Sequence, residues 1–433
     1  MYTFKNFKKN LFNIAKDIFP IHRSLASPGT LETLKYFQSK NKSIKIIKTR
    51  SGKKVFDWKI PYEWIVKKAY VIDMKKKEKI IDYKKNNLHI VQYSEKVDQI
   101  LNYNDLKKKL FYDKIKPNAI PYVTSYYKKD WGFCLSYNKF KKIKKSLFRV
   151  VIDSRFKKGN MYSGEVLLKG KSRKEILFSS YICHPSMANN EVSGMVILNA
   201  LIKYLSEKNN RYYSYRFSLA PETIGSINFI KRNFKSLKKN LIAGFNISCV
   251  GDNKRFSMVE SRLGNTLPDK ALHSALFKKK NFSKYNFLSR GSDERQYCSP
   301  LLNFPYCNFS RSLFGKYKEY HSSLDNLNFI SQDGLEKSLE CLLLIINTFE
   351  KGIYPLSLNY CEPFMSKYDL YPSNSFKNKF LKKSKMILNF IAYCDGKTDI
   401  FDICKKINCS LDEIEEILDI CKNKKLVSFK HEL

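Results

Sequence analysis

Six histidines occur in the chain, and two of them have neighbours that could do chemistry. His184 stands in "FSSYICHPSMANNEVSG", at the end of an apolar run, and Glu191 follows where an amphipathic pattern begins. His321 stands in "KEYHSSLDN", between Glu319 and Asp325. A hydrolytic zinc site wants about three N or O ligands, an open position for water and a carboxylate as general base. His184, Glu191, Glu222 and His321 could supply that set. The alternative is structural. Pro185 can end a strand in a turn, acidic residues at helix starts are favoured by the helix dipole, and His321 can stack on aromatic neighbours. Residue types and spacing leave both readings open.

The elements that would position these residues are legible as periodicity. Strands are predicted at Phe148–Ile152, Gly164–Leu168, Glu175–Ile182, Tyr213–Ala220, Leu241–Val250 and Asn303–Ser310. Helices are predicted at Glu191–Leu205, Ile224–Phe234, Pro268–Lys278 and Gly334–Glu350. This alternation favours an α/β sheet flanked by helices. His184, Glu222 and Ser248 each fall at or near the end of an apolar run, and ligand chemistry in such sheets gathers at the carboxyl ends of strands. The predicted organisation is an α/β domain from residues 1–50 and 131–360, a small β-rich insertion at 51–130, and a C-terminal module at 370–433. That module follows a proline-punctuated linker near "CEPFMSKYDLYPSNS" and reads as three helices and a strand, a winged helix.

The formal charge is +40 across 433 residues, with 13 arginines and 67 lysines. The lysines lie in short clusters all along the chain, which reads as a solvated basic surface rather than a nucleic-acid stripe. A DNA-reading winged helix wants cations on its second helix of the pair. Here "SLDEIEEILDICKNKK" carries Asp412, Glu413, Glu415, Glu416 and Asp419, which phosphates would repel. Nucleic acid is therefore disfavoured, and the module reads as a protein-contact or oligomerisation element, or as a packed tail. Eleven dispersed cysteines show no zinc-finger spacing or disulfide framework. No signal peptide and no 18-residue apolar run is seen, so a cytoplasmic protein with reduced thiols is expected.

The stretches "SSYICHPSMANNEVSG", "APETIGSINF", "SDERQYC" and "EYHSSLDNLNFI" resemble an aminopeptidase-like family of unknown function. Its members are similar to zinc-dependent bacterial aminopeptidases and are often linked with polysaccharide biosynthesis. The openings "LFNIAKDIFPIHRSLASPGTLETL" and "LHIVQYSEKVDQILNYNDLKKKLFY" and the stretch "PNAIPYVTSYYKKDWGFCLS" resemble it too. The resemblance implies a mixed-sheet α/β fold, a β-rich insertion and a C-terminal winged helix. It also exposes departures. Asn190 stands where the two-zinc enzymes carry a bridging aspartate, Ser248 where they carry a further aspartate, and Pro221-Glu222 where they carry paired glutamates.

A single zinc held by His184, Glu191 and His321 is the economical expectation, with two ions as the alternative. Glu222 would polarise the water, or serve as the third ligand. Asp293, Glu294 and Arg295 lie in a segment resembling the substrate-facing loop, where they would hold an amine or an acidic group, or form a salt-bridged loop. Arg23 is a candidate for a substrate anion, and Asn190 and Asp325 are further site candidates. The leading function is a metal-dependent amide hydrolase acting on a short peptide or an N-acylated amino sugar. The competing one is a non-catalytic scaffold on a decayed site.

Overall fold

The computed structural model describes residues 7–371 and 378–433, so the start of the predicted N-terminal helix and part of the predicted linker lie outside the described residues. Eight strands form the main sheet: β1 (Lys45–Arg50), β2 (Asn160–Leu168), β3 (Glu175–Tyr181), β4 (Ser214–Ala220), β5 (Leu241–Ile247), β6 (Phe256–Val259), β7 (Phe282–Tyr285) and β8 (Tyr306–Ser310). Their order is β1-β2-β4-β3-β5-β8-β6-β7, with β4, β3, β5 and β8 parallel. The mixed sheet expected from the sequence is therefore present. Every residue of β3 and β4 is buried, as strands covered on both faces must be.

Six helices serve this sheet: α1 (Leu11–Ile18), α2 (Pro28–Lys40), α3 (Ser193–Ser206), α4 (Ile224–Asn240), α5 (Leu267–Leu276) and α6 (Gln332–Lys351). The apolar residues of α1, α2, α3, α5 and α6 join one large core, while Phe229, Ile230 and Leu237 of α4 pack with Leu177 and Tyr306 in a separate cluster. The chain leaves β3 for α3 and β4, then returns past β3 to β5. That reversal opens a crevice beside the carboxyl end of β3, where ligand sites of open α/β sheets form. The start of α3 approaches β5 so closely that a Cβ on Gly194 would sit 2.3 Å from the carbonyl oxygen of Ile247. Only glycine fits there.

The insertion departs from the sequence expectation at its far boundary. The strand predicted at Phe148–Ile152 runs from Leu147 to Lys157 and pairs with Glu63–Asp73 and Val97–Asn102 in a separate four-stranded sheet. Its own core contains Trp64, Val71, Phe133, Phe148 and Val150. The insertion thus extends past residue 130, and the chain enters β2 directly from it. Periodicity identifies a strand without naming its partner.

The C-terminal module has the expected three helices, α7 (Asn378–Ile391), α8 (Ile400–Lys406) and α9 (Leu411–Asn423), and a final strand Val427–Lys430. That strand pairs antiparallel with Tyr354–Ser357, so the module starts earlier than residue 370. Ile387, Phe401, Ile414 and Leu418 belong to the same core as α5 and α6. Four of the five acidic side chains of α9 are paired within the chain. Asp412 pairs with Lys279, Glu413 with Lys278, Asp419 with Lys351 and Glu416 with Lys383. Of the expected roles, a packed tail is the one these contacts describe. No described helix is long and apolar enough to cross a membrane.

Candidate metal centre

His184 and His321 converge. Their ring centroids are 5.5 Å apart, and Tyr122 lies about equally near both, at 5.2 and 5.1 Å. His184 Nε2 is 3.9 Å from the Glu222 carboxylate. All three line one cleft of 630 Å³, with Cys183, Tyr126 and Arg295. His184 follows β3, Glu222 follows β4 and His321 lies between β8 and α6, as the strand-end argument requires.

His184 has two differently furnished sides. On the inner side, Nδ1 is 3.5 Å from Cys183 Sγ and 3.8 Å from Glu191 Oε1. Ligand atoms of Cys183, His184 and Glu191 lie within 4.8 Å of one another, close enough to hold a metal ion. Glu191 is also engaged by the surrounding chain. Glu191 is fully buried; its Oε1 accepts the backbone N–H groups of Cys183 and His184, the latter at 2.7 Å, and its Oε2 accepts Arg23 Nε at 2.9 Å. Burial pushes the Cys183 thiol up to about 11. Glu191 does not line the cleft, and with Cys183 and His184 it remains within reach of a shared ion behind it. It orients the His184 loop from behind, as carboxylates beside metal histidines do. Burial works against its charge, but Arg23 and His184 outweigh that and hold its pKa below the usual range.

A widened turn explains the miss. Residues 188–192 form a single π-turn ahead of α3, and such turns recur at functional sites. Asp325 holds it in place: its carboxylate accepts the N–H groups of Asn189 at 2.6 Å and Asn190 at 2.9 Å. Asp325 is thus a clamp on the turn, buried and raised by that burial to about 6. Asp325→Ala leaves two buried N–H groups without an acceptor, at ~1–3 kcal/mol each. The expected loss is about 2–6 kcal/mol in unfolding free energy by urea titration.

Asn190 and Ser248, at the positions of absent carboxylates, have structural engagements. Asn190 Oδ1 accepts the Tyr181 hydroxyl, and Ser248 Oγ donates to Asn308 Oδ1 at 3.2 Å. The Asn190 amide nitrogen is buried without a partner.

His321 sits with φ at +51°, a backbone region that needs outside support. The insertion supplies it. Tyr122 N–H donates to the His321 carbonyl at 2.9 Å, Ile120 and Ser323 exchange bonds, and Lys116 Nζ reaches the Tyr320 carbonyl. The Tyr320 ring stacks on the imidazole at 3.9 Å. His321 Nε2 is buried without a hydrogen-bond partner. Burial, reinforced by His184, pulls its pKa down to about 3, so the ring is neutral and able to donate a lone pair.

Glu222 is presented by a strained neighbour. Thr223 has φ at +64°, costly for a β-branched residue. Its N–H donates to Asp293 Oδ1 at 2.7 Å, and its Oγ1 accepts from Arg295 Nη2 at 2.7 Å. Asp293 is buried and pushed up to about 7 by burial and then by Glu222. Glu294 is buried and accepts the N–H groups of Gly291 and Ser292. Of the three residues expected to meet substrate from this loop, only Arg295 lines the cleft. Arg23 is the other correction: it is fully buried and its guanidinium is committed to Glu191 and to the Ile18 carbonyl at 2.6 Å. It cannot meet a substrate anion.

Sequence reasoning missed the roof of the cleft. Trp58, Lys59, Tyr62, Tyr122, Tyr126 and Tyr127 all come from the insertion. The only available signal was the aromatic density of "PYVTSYYKKDW".

Against burial, Cys183 and Glu191 hold the His184 ring well above the usual imidazole pKa, so a metal there would have to displace its proton. His184, Glu222 and His321 offer the donor types of one zinc site on one cleft, with an orphaned His321 nitrogen. They do not fit two, because Asn190 and Ser248 cannot replace two bridging or terminal carboxylates.

Comparison with known proteins agrees with this architecture. Residues 12–352 match the model of a domain of unknown function, DUF4910, and residues 353–429 match a winged helix-turn-helix. A protein of Clostridium acetobutylicum described as a "Putative polysaccharide biosynthesis protein with aminopeptidase-like domain" is 36% identical over 411 residues, 94% of each chain. A crystal structure described as a "putative peptidase" from Clostridium acetobutylicum superposes with a TM-score of 0.89 at 35% identity, covering 99% of this chain and 98% of that one. A zinc aminopeptidase from Bacillus subtilis shares the fold at a TM-score of 0.57 and 11% identity, over 80% of this chain and 94% of that one.

Proposed function

This chain belongs to the DUF4910 family, with a winged helix-turn-helix at its carboxyl side, and from that premise we propose that it is a zinc-dependent amide hydrolase of aminopeptidase type. The observation that carries the reading is the approach of His184, Glu222 and His321 on one cleft. His184 through Nε2, His321, and one oxygen of Glu222 would hold the ion. Zinc, when bound, supplies Lewis acidity toward a carbonyl and lowers the pKa of water. The second oxygen of Glu222 takes a proton from the attacking water and delivers it to the leaving nitrogen as the C–N bond breaks. Glu191 keeps the His184 ring turned so that Nε2 faces the cleft. Arg295 offers its charge to an acidic group on the substrate, and the rings of Trp58, Tyr126 and Tyr127 offer stacking faces. Such a lining suits a short peptide or an N-acylated amino sugar, and the name of the relative at 36% identity directs the search toward polysaccharide biosynthesis.

Metal analysis of the purified protein tests the ligand assignment. About one zinc per chain is expected. His184→Ala and His321→Ala should each weaken zinc binding by more than the ~10–100-fold cost of losing an outer-shell partner. Wild-type zinc content in both variants would remove the ion from this cleft. A second reading, a non-catalytic scaffold, is favoured by Asn190 and Ser248, and it requires that no amide substrate turn over.

A further inference from the structure

We propose that Arg311 is the floor of a second ligand site, for a small anion of the phosphate class, between the α/β domain and the winged helix. Three arginines are buried among the described residues: Arg23, Arg216 and Arg311. Two have carboxylates. Arg23 pairs with Glu191, and Arg216 forms two bonds to Glu175. Arg311 is 3% exposed and has none. Its Nε and Nη1 have no hydrogen-bond partner, and the Phe256 ring lies 3.9 Å from the guanidinium carbon. Asp252 and Asp333 act on it through their charge without forming an ion pair with it, and both carboxylates are engaged elsewhere, by Ser312 and by Lys337. Burying a guanidinium without an anion is expensive, because desolvation is uncompensated.

The space beside it is suited to supply that anion. Arg311 and Phe256 line a cavity of 430 Å³ that shares no residue with the His184 cleft. Arg255, Lys280, Lys254 and Lys279 line it as well. Arg255 and Lys280 are exposed, and neither forms an ion pair among the described residues. The two carboxylates on the rim are already engaged, Glu340 by Lys8 and Asp412 by Lys279. The cavity therefore holds surplus positive charge around a recessed, unsatisfied guanidinium. Arginine suits the tetrahedral oxygens of a phosphate, through charge-assisted hydrogen bonds. The recess excludes a duplex backbone, which presents its phosphates on a convex surface, and its volume admits pyrophosphate or a phosphorylated metabolite.

Isothermal titration of pyrophosphate into the full-length protein at low ionic strength is the test. One site per chain is expected, with affinity at least tenfold lower in Arg311→Met and unchanged in His184→Ala. Should Arg311→Met fail to fold, the exposed pair Arg255→Glu and Lys280→Glu carries the same expectation. Inorganic phosphate and a nucleoside diphosphate are run in parallel. Equal affinity for phosphate and pyrophosphate marks free phosphate as the ligand, and tighter binding of the diphosphates marks a phosphorylated metabolite. Wild-type affinity in the variant that folds, loss of binding in His184→Ala, or binding of a duplex oligonucleotide but not of pyrophosphate would overturn the proposal.

Discussion

Glu222→Gln is expected to lower amide turnover by about 10²–10⁴-fold, the usual contribution of a positioned general base, while leaving the unfolding midpoint of the metal-free protein at its wild-type value. The two halves of that expectation rest on different facts. The Glu222 side chain is one-fifth exposed, forms no hydrogen bond, and stands 3.9 Å from His184 Nε2. Nothing structural depends on its charge. Its backbone is held independently, through the Glu222 N–H to Cys183 Sγ at 3.3 Å and through the bonds of Thr223 to Asp293 and Arg295. Glutamine keeps the shape but has no lone pair basic enough to take a proton from water. A panel of aminoacyl anilides and N-acetylated amino sugars, read alongside thermal melts, checks both halves. Equal turnover in the two proteins would free Glu222 of any role, and absence of turnover in both would favour the scaffold reading.

Arg23→Met is expected to show the opposite profile, a loss of about 3–5 kcal/mol of stability, as when one partner of a buried ion pair is removed. Both side chains of the Arg23–Glu191 pair are fully buried. Glu191 would keep its bonds to the N–H groups of Cys183 and His184 but lose the cation that makes its charge tolerable. The pH dependence has a definite sign. The folded-state pKa of Glu191 is lowered, so the pair stabilises the protein above the unfolded glutamate pKa of about 4.3. That stabilisation is lost as the pH falls through the folded value. Guanidinium titrations at neutral and acidic pH should show the gap between wild type and Arg23→Met closing under acid. Adding Glu191→Gln should restore part of the loss at neutral pH, since a neutral amide still accepts the backbone N–H groups. A gap that is absent at neutral pH would show that Arg23 carries no such load.

The contrast between these two carboxylates marks how far the sequence could be read. Both stand near the end of an apolar run and the start of a helix, and both qualified as ligands on that ground. Placement at strand ends is a property of local pattern, so the positions of His184 after β3 and Glu222 after β4 were legible, while His321 lies in the long connection between β8 and α6. Direction was not legible. Glu191 turns inward because a π-turn replaces the first α-helical turn, and because its partner Arg23 lies 168 positions away. Asp293, Glu294 and Asp325 look like substrate or metal carboxylates in one dimension. Each proves to accept backbone N–H groups, a use that leaves no mark on residue type. The α/β segmentation was legible in its middle, where strands and helices alternate, and failed at Leu147–Lys157. The same pattern suits either of two sheets, and partner choice is settled by packing.

The pairing of Val427–Lys430 with Tyr354–Ser357 also bears on how the protein is made. The apolar faces of α5 and α6 are completed by side chains from the winged helix, and its closing strand leaves the ribosome after every other described element. The central fold must therefore wait, with an uncovered flank, until synthesis has passed α9. A product broken off before Asn378 would keep the residues of the cleft yet display that flank to chaperones and proteases, so such premature termination should appear as rapid turnover in the cell rather than as a shortened active species.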